Sequence, residues 1–270
     1  MSESVRAVER ALDVLLCFTN QTPELTMTQI ADQVGIHKST AHRLLATLEN
    51  KRFIQRDPDT GIYRLGIRLL QMAYLTLEQN DLRRLAAPLM HKLCDLYEEN
   101  IDLTLLDDID VVFVNILEGP QRVKLAAAIG QRLPAFATAS GKAILGFMPE
   151  KLVRRILDRG MPKLTPYTIN SPEVLFEDLT SVRERGFAIS EQELEEQVNA
   201  VAAPIFNQEN HPIASIAVAG PAYRLTRERM MEIGPVVVAT TREISLEINM
   251  AAIPIANSAI NVPASVENKK

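Results

Sequence analysis

The chain is expected to fold as an α+β protein in two parts: a small helical part closed by a β-hairpin, then a larger part in which helices cover a sheet. Three observations predict this. Between Leu25 and Asn50, apolar residues recur at helical spacing on both sides of a glycine. Residues 53–65 read as strand, turn, strand. From Ile101 onward, two blocks of strand pattern have helices between and after them. A length of 270 residues suits two domains, and a hydrophobic content of 47% supports a core in each.

In chain order, Ser4–Phe18 is expected as a first helix, with Val5, Val8, Leu12 and Leu15 facing a three-helix core. Asn20–Glu24, with Pro23, is the loop. Thr26 and Gln29 have the spacing of a capping box, and Met27, Ile30, Ala31 and Val34 form the buried stripe of a second helix. Gly35 ends that helix. A third helix follows, with Ala41, Leu44, Leu45 and Leu48 inward and Lys38, Ser39, His42, Arg43 and Thr47 outward. Cations and short hydroxyls on one helix face suit phosphates and base edges in a major groove, so the stretch reads as a helix-turn-helix with its recognition helix. Phe53–Arg56 and Ile62–Leu65, joined by Asp57-Pro58-Asp59-Thr60-Gly61, read as a wing whose Arg56 and Arg64 reach phosphate or minor groove.

Gly66–Gln79 is expected as a helix that is apolar on several sides, which predicts pairing with a second copy of itself. Leu82–Glu99 is a further helix with Leu82, Leu85, Ala86, Leu89, Leu93 and Leu96 buried, and the domain boundary falls near residue 80. Strands are expected at Ile101–Leu106, Val111–Leu117 and Val123–Ala127. Thr138–Lys142 opens a helix to about Met148, and helices follow at roughly 149–159 and 171–185. Strands return at Phe187–Ser190, Val198–Ile205 and Ile213–Ala219 before a long helix from Thr226 to Asn249. The domains are thus 1–65, a linker and dimerisation helix at 66–80, 81–253, and a disordered tail at 254–270.

Net charge is −5, yet residues 37–56 carry Lys38, Arg43, Lys51, Arg52 and Arg56 against the single acid Glu49. A local basic face on an acidic chain suits a sequence reader whose other domain has a different task. Cys17 and Cys94 sit in apolar helical patterns, as buried thiols in a reducing cytosol do. Arg6, Glu9, Arg10 and Asp13 interrupt the first helix, so it is not expected to be a secretory leader. No apolar run approaches the roughly 20 residues that span a bilayer, and a cytoplasmic protein is expected.

Catalytic chemistry is not expected. Gly141-Lys142 lacks the flanks of a phosphate-binding loop, and Ser140 lacks those of a nucleophile elbow. His37, His42, His91 and His211 have no metal-ligand spacing, so neither metal nor cofactor is anticipated. The acidic run Glu191, Glu193, Glu195, Glu196 reads as a solvated turn. Two readings compete with a regulator: a ligand-sensing enzyme, and a protein-interaction adaptor, each carrying a winged-helix appendage.

The motifs SVRAVERALDVL, LTMTQIADQVGIHKSTAHRLLATL, YRLGIRLL, DLRRLAAPLM, TASGKAIL, RERGFAIS and VNAVAAPIF, in this order and spacing, resemble the IclR-type bacterial transcriptional regulators over nearly the whole length. The resemblance implies an amino-terminal winged helix-turn-helix joined by a helical linker to a GAF-like α/β effector-binding domain. It implies a homodimer or dimer of dimers on double-stranded operator DNA, tuned by a small-molecule effector. By position it assigns DNA contact to Lys38, Ser39, Thr40, His42 and Arg43, with wing support from Arg56, Tyr63 and Arg64. It places the effector pocket at Ala139, Ser140, Gly141, Ser190, Ala200, Ala217 and Ala219. Many relatives carry an aspartate at position 190, a cysteine near 200, serines at 217 and 219, and a glycine at 197. Alanines here imply a more apolar ligand, an organic acid whose carboxylate meets the helix start at Ser140-Gly141. Its body would be larger and less polar than pyruvate or glyoxylate, as in aromatic acids or their degradation products.

Overall fold

Thr26 and Gln29 form the capping box that their spacing predicts: the Gln29 N–H donates to Thr26 Oγ1 at 3.3 Å, and Gln29 Oε1 accepts from the Thr26 N–H at 2.8 Å. In the computed structural model, which describes residues 5–19, 21–78 and 81–250, this box opens α2 (Met27–Val34), between α1 (Arg6–Leu16) and α3 (Lys38–Asn50). Gly35 ends α2 at φ +67°, a left-handed conformation open to glycine at little cost. β1 (Ile54–Arg56) and β2 (Tyr63–Leu65) pair antiparallel, with Ile54 opposite Leu65. Leu25 bridges to Tyr63 and so ties the entry to α2 onto the hairpin. Val14, Phe18, Ile30, Leu45, Leu48, Ile54 and Tyr63 fill the core. With α4 (Ile67–Glu78) these elements make up a first unit, Met1–Gln79.

The expected inner face of α1 is corrected. Val5, Val8 and Leu12 are exposed, as is Leu16, and α1 meets the core through Val14 and, past its end, Phe18, with Leu15 half-buried. Helical spacing marks an apolar stripe but not what covers it, and α1 has two stripes. α4 likewise exposes Ile67, Leu70, Met72, Tyr74 and Leu75.

The second unit, Asn80–Lys270, is built on one six-stranded antiparallel sheet in the order β5-β4-β3-β8-β7-β6. Its strands are β3 (Asn100–Asp107), β4 (Asp110–Leu117), β5 (Arg132–Pro134), β6 (Ala188–Glu191), β7 (Val198–Phe206) and β8 (Pro212–Pro221). Alternation assigns the two faces. Ile101, Leu103, Val201, Ala203, Ile205, Ile216 and Val218 pack with Leu82, Ala86, Leu89, Met90 and Leu93 of α5 (Asp81–Tyr97) and with α9 (Arg227–Met250). On the opposite face, Ala188, Ala202 and Ala217 meet Ala139 and Ala143 of α6 (Ala139–Leu145). Small residues on both sides let α6 lie close to the sheet. α7 (Glu150–Leu157) and α8 (Pro172–Arg185) extend this layer over a second cluster around Leu106, Val111 and Phe136.

Several expectations are corrected here. Val123–Ala127 is not a strand; it lies in a connection between β4 and β5, and the short edge strand comes later. Leu96 is exposed, and Met90 takes the inward place on α5. Glu193 is not solvated: it is 6% exposed and its Oε1 lies 2.6 Å from Lys142 Nζ, itself 1% exposed. Lys142 also lies 2.8 Å from Asp178 Oδ2 of α8. Cys17 and Cys94 are free and half-buried rather than buried, and burial raises both thiol pKa values. The tail expected at 254–270 lies outside the described residues. Among the described residues, no helix is long and apolar enough to cross a membrane.

Candidate nucleic-acid interface and ligand cavity

α3 is held by Ala41, Leu45 and Leu48, each inside the three-helix core. That anchoring turns Lys38, Ser39, His42, Arg43 and Thr47 to solvent, with Thr40 half-buried. Lys38 and Arg43 are outside the fold, as a DNA-reading face requires. Arg6 and Arg10 of α1 share a groove with Thr40, Arg43 and Thr47, so three arginines border one edge of α3.

The wing places its residues unequally. Arg56 is exposed, with its guanidinium 5.9 Å from the centre of the Tyr63 ring, a cation–π distance. Tyr63 itself is 5% exposed and belongs to the core. The expected wing contact by Tyr63 is therefore corrected: strand alternation turns its ring inward, beneath Arg56. Arg64 is exposed but ion-paired with Glu24 at 2.8 Å. Asp57 Oδ1 accepts from the N–H groups of Asp59 and Thr60, which shapes the turn and lowers the Asp57 carboxyl below its ordinary range.

In the second unit, a cavity of about 430 Å³ opens between the start of α6, the sheet and the connection between β4 and β5. Ala139, Ser140, Ser190, Ala200, Ala217 and Ala219 line it. Gly141 does not. A Cβ there would lie 2.1 Å from the Ala135 carbonyl oxygen, so this glycine serves close packing. Its N–H is also engaged, donating to Thr138 Oγ1 at 3.0 Å as the α6 cap. A ligand carboxylate held by the Gly141 N–H is thereby corrected. Ser190 Oγ donates to the Ala137 carbonyl at 3.3 Å, joining β6 to the turn before α6.

Sequence reasoning missed most of the wall. Phe113, Leu125, Leu133 and Leu194 add apolar surface, and Lys124, Gln131 and Glu195 add polar groups. The connection that carries Lys124 and Leu125 is pinned at several points. Asn100 Oδ1 accepts from the Gly119 N–H and Asn100 Nδ2 donates to the Leu125 carbonyl, both at 3.1 Å. Arg224 clasps Glu99 at 2.6 and 2.7 Å and donates to the Val123 carbonyl at 2.9 Å. Lys124 is ion-paired with Glu118.

Asp102 was missed as well. It sits mid-strand on β3, opposite Ala217 of β8, and lines the cavity while only 4% exposed. No hydrogen bond or ion pair among the described residues reaches its carboxyl, and Oδ1 is buried without a partner. Desolvation raises its pKa from an ordinary 3.8 to about 7. The polar positions Asn100, Asp102 and Thr104 were visible as an alternation, but only the assembled sheet shows which face they take.

Family models match almost the whole chain. The IclR helix-turn-helix domain covers residues 7–58, and the bacterial transcriptional regulator IclR C-terminal domain covers residues 74–246. The chain is 31% identical over 250 residues to the HTH-type transcriptional regulator KipR of Bacillus subtilis, spanning 92% of this chain and 98% of the relative. Among solved structures it resembles an IclR transcriptional regulator from Alicyclobacillus acidocaldarius, with 29% identity and a TM-score of 0.81 over 90% of this chain and 99% of that one. It also resembles an IclR homologue from Microbacterium hydrocarbonoxydans complexed with 4-hydroxybenzoate, with 25% identity and a TM-score of 0.76 over 89% and 99% of the two chains.

Asp102 generates a pH dependence of stability. Between pH 3.8 and about 7 the folded chain keeps a proton that the unfolded chain has released. Stability therefore falls as pH rises through that window, by at most ~1.4 kcal/mol per pH unit, and is flat on either side. Asp102→Asn should raise the melting temperature of the second unit at pH 7.5 and lose most of that advantage by pH 4.5. Calorimetric scans at the two pH values check this, and an equal difference at both would contradict it.

Proposed function

The chain belongs to the IclR family of bacterial transcriptional regulators, and on that premise we propose that the solvent face of α3 reads operator DNA while the cavity of the second unit binds an organic acid. The observation that carries the first half is the gathering of Arg6, Arg10 and Arg43 beside an exposed Lys38, Ser39 and His42. Cations along the helix edge neutralise phosphates and set the docking register, and the outward side chains reach base edges. Thr40, half-buried, stands at the margin of that face. Arg56 supplies the wing contact, and Arg64 follows if DNA displaces Glu24. Such a regulator works in the cytoplasm, where its operator is.

The cavity supports a ligand with an apolar body. Phe113, Leu125, Leu133 and six alanines supply much of the wall, and Ser140 and Lys124 are the groups suited to a carboxylate. The relative bound to 4-hydroxybenzoate makes an aromatic acid a reasonable starting ligand here too. To change DNA affinity, that acid must bind one conformation of the protein better than another.

A second copy of the chain covers the apolar stripes of α1 and α4. Leu16 is 76% exposed and Leu70 is 65% exposed, and a regulator reading two half-sites about 34–36 Å apart is a dimer. Sedimentation equilibrium tests this: wild type should sediment as a dimer or larger, and the double variant Leu12→Glu, Leu70→Glu as a monomer. A monomeric wild type would overturn it.

For DNA, Arg43→Ala should weaken binding to the operator by about 1–3 kcal/mol if Arg43 reads a base bidentately. Fluorescence anisotropy with the intergenic DNA upstream of the protein's own reading frame measures it, and unchanged affinity would remove Arg43 from the reading set. For the acid, titration calorimetry should favour aromatic acids over pyruvate and glyoxylate. Tighter binding of the small polar pair would refute an apolar ligand body.

A further inference from the structure

Three polar residues follow one another on the cavity side of β3: Asn100, Asp102 and Thr104. The outer two are satisfied. Asn100 holds the Gly119 N–H and the Leu125 carbonyl, and Thr104 Oγ1 lies 2.9 Å from Ser215 Oγ. Asp102, between them, has no partner among the described residues, although it is as deeply buried as they are. Buried polar groups are almost always paired, and leaving one unpaired costs a fold more than a polar group in water. Here the missing partner is not a packing accident. Directly across from Asp102 stand Ile116 on β4 and Ala217 on β8, flanked by Ala219 of β8 with Ala200 beyond on β7; none can hydrogen-bond through its side chain, and the three alanines line the cavity. The wall beside Asp102 is thus apolar on both neighbouring strands and small on the β8 side, and the carboxyl borders the open cavity.

We propose that Asp102 selects among organic acids by accepting a hydrogen bond from a hydroxyl or amino group that the ligand carries in addition to its own carboxylate. This rests on the acid-binding reading above and adds the ligand's second polar group and its orientation. The carboxylate cannot lie against Asp102 when that side chain is ionised, because no cation of the wall sits there: Lys124 is drawn to Glu118 on the connection between β4 and β5. The ligand therefore places its anionic end toward Ser140 and Lys124 and its donor toward β3. Because burial lifts the Asp102 pKa to about 7, the side chain is an acceptor only above that pH, and the titrations are made at pH 8. A cavity of about 430 Å³ accommodates a substituted ring between the two ends.

The test is titration calorimetry of the full chain with matched ligands: 3- and 4-hydroxybenzoate and the two aminobenzoates, against fluoro- and methoxybenzoates that keep the bulk and lose the donor. In wild type, at least one donor-bearing acid should bind roughly tenfold or more tightly than its donor-free match, the cost of leaving a buried acceptor unpaired. In Asp102→Leu and Asp102→Asn, the first removing the acceptor and the second keeping its shape while turning half of it into a donor, the gap should shrink toward parity. Ala217→Val crowds the cavity next to the carboxyl and should weaken both members of a pair alike. Acids that bind without regard to the donor, or a gap that persists in both Asp102 variants, would overturn the role of Asp102 and leave acid binding standing. If no acid binds the wild type, both readings fall together. Thermal melts of each variant identify any that does not fold, and the wild-type comparison decides the matter by itself if no preference exists.

Discussion

Lys142 holds together the wall on which the ligand cavity depends. Its ammonium is almost wholly removed from solvent and lies between Glu193 and Asp178. Three elements meet there: α6, whose first turn lines the cavity; α8, which carries Asp178; and the segment after β6, which carries Glu193 next to the cavity residues Leu194 and Glu195. Taking charges out of water is expensive, and the expense is offset only where the geometry is close and hydrogen-bonded. Breaking such a pair from one side typically costs ~3–5 kcal/mol, so the partners fix one another's place more than they add net stability. The same segment is tied down again by Thr165 and Thr168, whose hydroxyls donate to the Gln192 and Glu193 carbonyls.

With α6 fixed, the size of side chains sets the shape of the site. Gly141 lets the turn at Ala135 approach, and alanines at 139, 143, 188, 202 and 217 let the helix settle on the sheet. Toward Ala200 and Ala219 the same small residues border open volume, which is bounded also by the connection pinned by Asn100 and Arg224. In the first unit the division of labour is similar. One stripe of α3 is spent on the core, which leaves its cationic face rigidly presented. The apolar residues that α1 and α4 leave outside are the counterpart of that small core, which is too limited to cover every stripe its helices carry.

The fold was legible where the information is local. The Thr26–Gln29 box, the glycine at 35, the hairpin turn at Asp57–Gly61 and the helical stripe of α3 each depend on residues within a few positions of one another. The strand character of β7 and β8 was equally plain. What was not legible depends on partners far along the chain. Val5, Val8 and Leu12 have the spacing of a core stripe, and nothing local says that Val14 and Phe18 take the core instead. Val123–Ala127 has strand-like composition but is bound by Asn100 and Arg224, more than 20 residues before and about 100 after. Glu193 looked solvated within its acidic run because its cation lies 51 residues earlier. For the cavity, the family resemblance supplied the α6 and late-strand side, six of whose seven residues line it. Asp102 and Phe113 come from the β3–β4 side, which no short motif marks.

The central claim is that one molecule joins DNA reading to acid sensing, and linkage tests it most directly. The affinity of the full chain for its operator should be measured with and without saturating acid, and its affinity for the acid with and without operator. The account predicts that each ligand changes the binding of the other by the same factor, clearly different from one. Two ligands that both bind, with each affinity indifferent to the presence of the other, would contradict it.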